Sequence, residues 1–161
     1  MDSLDRRSFI VTTSAATAAL APGPAASSQG AVFLSTWEWG IEANARAAAV
    51  FAGGGMLIDA VEKGINVVED DPNVHTVGYG GLPNEQGEVE LDAGIMDGTT
   101  HRAGAVCSLR KIKNPISVAW LVMEKTRHTT MAGDVALQFA IAMGFEPMQL
   151  LTEHSLHAWL K

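Results

Sequence analysis

Apolar and polar positions follow two rhythms along this chain, and the change comes near residue 77. Before it, the spacing is helical. Residues 42–51 are rich in alanine and form a good helix, stopped by Gly53-Gly54-Gly55. Leu57, Ala60, Val61, Gly64, Ile65 and Val68 then fall on one face at helical intervals. Glu69-Asp70-Asp71-Pro72 ends that second helix, because Pro72 disfavours helical geometry in the residue before it. After residue 77 the period drops to two. Val89, Leu91, Ala93 and Ile95 alternate with Glu88, Glu90, Asp92 and Gly94, which predicts a strand. Asp97-Gly98 signals a hairpin turn, and Ala103, Ala105 and Cys107 alternate in a returning strand.

The helical rhythm then returns. Asn114-Pro115 reads as an N-cap followed by proline at the first helical position, with Ile116, Ala119, Trp120 and Met123 as the buried stripe. Asp134 is a candidate cap for a helix ending at Gly144, and Thr152 for a last helix holding Leu156, Trp159 and Leu160. At the other end, residues 31–36 read as a short buried strand through Val32, Phe33 and Leu34. The expected order is strand, helix, helix, hairpin, then three helices. Three strands make a poor sheet for so many helices. The pattern therefore predicts an α+β fold whose sheet is completed by something outside this sequence.

The first 28 residues read differently. Arg6 and Arg7 precede Ser8 and Phe9, and an uncharged, small-residue stretch follows to Pro22. Ala25 and Ala26 precede Ser27. This is the layout of a secretory signal, and the paired arginines resemble a bacterial twin-arginine export address. Residues 1–28 are expected to be removed and 30–161 to fold, in the periplasm or secreted. The apolar stretch falls short of the ~20 residues a bilayer span needs, so no stable membrane anchor is expected.

Composition narrows the functions. Lys plus Arg is 11 against 18 Asp plus Glu, a net charge of −7 in 161 residues, which opposes nucleic-acid binding. One cysteine excludes an internal disulfide and an all-cysteine metal site.

Few residues carry chemistry. Asp92 and Asp97 are five apart on a strand, so parity sends them to opposite faces unless a bulge intervenes. The reading adopted is that Asp92 accepts backbone hydrogen bonds and Asp97 stabilises its turn. His154 and His157 are three apart on a helix, but two ligands without an HExxH motif predict no metal. Cys107 is expected to be a buried core thiol. Residues 78–81 lack the spacing of a phosphate loop and are expected to pack closely, one glycine taking positive φ. Trp37 and Trp39 alternate beyond the first strand and need not share a face. A tryptophan there can wall a ligand pocket and donate its indole N–H.

Taken together, the motifs carry a family likeness. Ser35-Thr36-Trp37 before a helix resembles the start of a mature glycosylasparaginase α chain. Asp59-Ala60-Val61-Glu62-Lys63-Gly64 is similar to that family's second helix, and Val77-Gly78-Tyr79-Gly80-Gly81 to its glycine loop. Asp92-Ala93-Gly94-Ile95-Met96-Asp97-Gly98 is similar to its following strand and turn, and Ile112-Lys113-Asn114-Pro115-Ile116 completes the series. The resemblance runs in order from about Ala31 to Lys161.

The resemblance implies an N-terminal-nucleophile hydrolase with an αββα sandwich, of which this chain supplies part. It implies a precursor cut at an Asp–Thr bond, a freed threonine that attacks the amide joining N-acetylglucosamine to asparagine, and no cofactor. That junction is expected beyond Lys161, so the nucleophile and oxyanion donors belong to a β region, and (αβ)2 pairs are implied. Thr152 follows Leu151 and is not the nucleophile. This chain is expected to contribute no catalytic residue but a substrate wall, Trp37 with Trp39 beside it, where the family often has phenylalanine at the second position. Plant-type asparaginases and isoaspartyl peptidases share fold and mechanism but usually open with a His-Gly-Gly-Ala-Gly-like segment. Ser35-Thr36-Trp37-Glu38-Trp39 stands there instead, which favours the glycoside-linked substrate. The rival from another class is a non-catalytic exported partner or binding module that retains half the fold.

Overall fold

The computed structural model describes residues 30–161. The expected signal segment, residues 1–28, lies outside them. Two helices open the fold, α1 (Gly40–Ala52) and α2 (Leu57–Asp70). A hairpin of β1 (Glu90–Asp97) and β2 (Arg102–Arg110) follows, then α3 (Pro115–Lys125), β3 (Thr130–Ala132), α4 (Gly133–Ala142) and α5 (Glu153–Trp159). The fold is mixed α+β, with a three-stranded sheet in the order β1-β2-β3, β1 and β2 antiparallel and β3 parallel to β2.

Helix α3 lies across one face of the hairpin. Ile95, Val106 and Leu109 from the strands meet Ile116, Val118, Ala119, Val122 and Met123 from the helix, with Ala136 and Ala140 of α4 closing the cluster. Gly104 makes the approach possible. A β-carbon there would stand 2.6 Å from the Met123 nitrogen, so any side chain would push α3 off the sheet. Met96 and Cys107, by contrast, are exposed on the strands.

Several expectations are met. Asp71 is extended and ends α2 before Pro72. Thr152 caps α5, its hydroxyl accepting the Ser155 N–H at 3.2 Å. Asp97 holds its turn through the Thr99 N–H at 2.9 Å and the Thr100 hydroxyl at 2.6 Å. Four others are corrected.

Residues 31–36 form no strand: among the described residues no backbone group bonds theirs, the Phe33 carbonyl accepting only from the Asn44 side-chain amide at 3.5 Å, and Val32 and Leu34 stand exposed. The third strand is β3 instead, three residues long and too short to leave a period-two trace. Cys107 is exposed rather than buried. The register shifts between Leu91 and Ala93, so that Cys107 and Ser108 together oppose Asp92, and Ser108 takes φ +48°. Gly104 and Val106 face inward rather than the Ala103-Ala105-Cys107 series, and the bulge after Val106 brings Leu109 to the same side. Asp92 accepts the Ser108 N–H at 2.7 Å and so holds the bulge. Lastly, Asp134 lies in the first turn of α4 rather than at its cap, and binds Arg110 at 2.6 Å.

Candidate functional site

The chain reverses sharply before α1. The Gly40 N–H bonds the Trp37 carbonyl at 2.9 Å, and Trp39 already has helical backbone angles as the N-cap. This turn replaces the alternation expected of an extended strand. It brings the rings of Trp37 and Trp39 onto one side, stacked with centroids 5.3 Å apart and planes within 5°. Trp37 is 67% exposed, a large rigid face held in the open.

The pair lines a cavity of about 550 Å³. Ser35, Thr36, Trp37, Trp39 and Gly40 form one part of its lining, and α2 contributes Ile65, Val68 and Glu69. The glycine segment adds Val77 and Gly78, the edge strand β1 adds residues 90–94, and Pro115 and Ile116 come from the start of α3. The volume suits a small ligand. Its charged lining residues are all acidic: Glu69, Glu90 and Asp92. Asp97 is not among them, so the two aspartates do not form a working pair.

Glu69 is the residue that sequence reasoning missed. It was read only as part of a helix stop, yet it is 2% exposed. Its Oε1 accepts the Ile116 N–H at 3.0 Å. Its Oε2 accepts from the side-chain amides of Asn66 at 3.2 Å and Asn114 at 3.3 Å. Burial pushes the carboxyl up to about 7, against the three donated hydrogen bonds, with neighbouring Asp70 adding to the rise.

Asn114 holds the N-cap position but makes no cap; its amide reaches Asp70 at 2.9 Å as well as Glu69. The start of α3 is capped from 47 residues away by Glu69. A second buried carboxylate continues the network. Glu62 accepts the Ser117 hydroxyl at 2.5 Å, and Ser117 in turn accepts from Asn66 at 3.0 Å. An acid run followed by proline, and an Asn-Pro pair later in the chain, were the available signals. Neither said that the two would meet.

Residues 78–81 pack closely, as expected, but two glycines rather than one take positive φ, Gly78 at +57° and Gly80 at +91°. The Tyr79 N–H donates to the Glu69 carbonyl at 2.7 Å, and Gly78 lies directly on that backbone. His154 stacks on His75 with centroids 4.3 Å apart, while His75 Nδ1 lies 3.2 Å from the Gly80 carbonyl. Among the described residues, no three metal-ligating side chains converge, and no helix is long and apolar enough to cross a membrane.

The profile of the family described as Asparaginase matches residues 27–161. An N(4)-(β-N-acetylglucosaminyl)-L-asparaginase of Elizabethkingia miricola is 45% identical over 166 residues, covering 96% of this chain and 48% of that protein. The protein of the same name in Rattus norvegicus is 47% identical over 132 residues, 79% of this chain and 37% of its own length. A plant-type L-asparaginase of Pyrococcus horikoshii is 46% identical over 105 residues, 65% of this chain and 34% of its own length. The chain thus spans half or less of each relative.

Proposed function

This chain belongs to the asparaginase family, the glycosylasparaginase type of N-terminal-nucleophile hydrolase, and on that footing we propose that it forms the α region of an exported amidohydrolase. The substrate is the amide between N-acetylglucosamine and L-asparagine. One observation carries the reading: a stacked tryptophan pair lines a ligand-sized cavity, in a chain aligned over 96% of its length with a glycosylasparaginase.

In this reading a β region supplies an N-terminal threonine. Its hydroxyl oxygen attacks the substrate amide carbon while its own α-amine takes the proton. An oxyanion hole holds the tetrahedral intermediate, the glycosylamine leaves, and water releases aspartate from the acyl-enzyme. The present chain positions the substrate. Trp37 offers a rigid face and an indole N–H, and Trp39 backs it. The two regions form an αβ unit that pairs as (αβ)2. The exposed outward residues of the strands, Met96 and Cys107 among them, suit a second sheet packed there to complete an αββα sandwich. Arg6-Arg7 directs residues 1–28 to the twin-arginine route, so the site of action is the periplasm or beyond. No cofactor is needed.

A second reading, plant-type asparaginase or isoaspartyl peptidase, draws on the 46% identity with the Pyrococcus protein. Joining residues 30–161 to the second half of the Elizabethkingia relative tests both. Turnover of N-acetylglucosaminyl-asparagine well above that of asparagine and β-aspartyl dipeptides supports the first reading, and the reverse preference supports the second. No turnover of any, after cleavage to a free N-terminal threonine, overturns both. The 161-residue chain by itself is expected to be inactive.

A further inference from the structure

Glu69 stands where three stretches of backbone meet at the cavity. It is the penultimate residue of α2. Its carboxyl reaches forward to the Ile116 N–H, one of the donors that the first turn of a helix leaves without an internal partner. A carboxylate at that end also meets the positive pole of α3. Its carbonyl oxygen takes the Tyr79 N–H from the glycine segment. Each of the three stretches lines the cavity, through Glu69 itself, Gly78 and Ile116. Trp37 and Trp39 line it too.

We propose that Glu69 is a positioning residue: it clamps the glycine segment and the start of α3 at one separation, and so fixes the wall against which Trp37 presents the substrate. The clamp follows from the hydrogen bonds alone, whereas its effect on turnover rests on the hydrolase reading above. A carboxyl is required because three donors converge on it from two directions. A leucine would leave all three without acceptors in a buried place. A glutamine turns an amide N–H against one of them. An aspartate is one methylene short of spanning Ile116 and Asn114. Loosening this wall matters because misplacing a substrate by about 1 Å costs roughly a hundredfold in rate.

Two measurements test the proposal with Glu69→Gln and Glu69→Asp. The first is amide hydrogen exchange in the 161-residue chain. Exchange at Ile116, which the carboxyl holds, is expected to rise about tenfold or more, with Tyr79, held by the Glu69 backbone carbonyl, and the β1–β2 hairpin amides unchanged. Unchanged protection at Ile116 overturns the clamp, as does a uniform rise across all amides, which reports global loosening. Asn114→Ala is the milder variant should the others fail to fold: it removes one donor to the carboxyl, and a several-fold rise confined to Ile116 is expected. The second measurement is kinetics in the fusion with the Elizabethkingia half. Per processed molecule, KM is expected to rise about tenfold in Glu69→Gln and kcat to fall. A structural role alone would reduce the number of processed molecules and leave KM and kcat per molecule as in wild type, which overturns positioning. A wild-type fusion without turnover overturns the hydrolase reading, while the exchange measurement still decides the clamp.

Discussion

The backbone of Tyr79 is tied to that of Glu69: the Tyr79 N–H donates to the Glu69 carbonyl at 2.7 Å, and Gly78 rests on the same peptide group. No other residue fits at Gly78. Its φ is +57°, and a β-carbon would overlap the Glu69 backbone. Gly78→Ala combines left-handed strain with overpacking and is expected to cost about 3 kcal/mol. Urea unfolding checks this; a loss under about 1 kcal/mol would mean that the glycine segment can move off α2.

The Glu69 carboxyl ties stability to pH. Burial raises it from 4.5 to about 7. Between those values the folded chain keeps a proton that the unfolded chain releases. Stability from this group is therefore full at low pH, falls as pH rises through that window, and is flat above it. The shift corresponds to about 3 kcal/mol. In Glu69→Gln this component vanishes, so the stability gap between wild type and variant is expected to shrink from pH 5 to pH 8. Melting at both pH values measures the gap, and a constant gap refutes the assignment.

Trp37 is two-thirds exposed, so changing it leaves little void. In the active fusion, Trp37→Phe is expected to lower kcat/KM about tenfold with the melting temperature nearly unchanged. Trp37→Ala loses the stack on Trp39, about 1 kcal/mol, and should reduce activity further. Wild-type kinetics in the Phe variant, measured after precursor cleavage is verified, would make Trp37 a packing residue only.

Arg6 and Arg7 are expected to act as an address. Replacing both by lysine should abolish delivery to the periplasm in a host with a working twin-arginine pathway. Fractionation and immunoblotting read the result, and undiminished delivery rejects the route.

Most elements were legible from local rules. Helix α2 was visible in its apolar stripe, α3 in Asn114-Pro115, and β1 in its alternation. What escaped depended on distant partners. Residues 31–36 are apolar enough for a strand, but a strand exists only where a neighbour accepts its hydrogen bonds. Cys107 was misplaced because alternation alone does not say which parity faces inward: Gly104 and Val106 turn toward the core and Cys107 away from it, and only after Cys107 does the extra residue bring Leu109 back to the inward side. The aromatic half of the cavity could be anticipated, since tryptophans after a terminal segment invite the idea of a wall. The carboxyl half could not: Glu69 and Ile116 lie 47 positions apart, and nothing local in either marks the contact.

The bulge at Ser108 has a practical outcome. Strand alternation already turns the molecule's single sulfhydryl outward, and the bulge sets it beside the ladder's irregular point, where small reagents can reach it. Maleimide or a nitroxide label will attach at one known address without engineering. The rate of that reaction then serves as a gauge: anything that comes to lie over this side of β2 will slow the alkylation, and its departure will restore the speed.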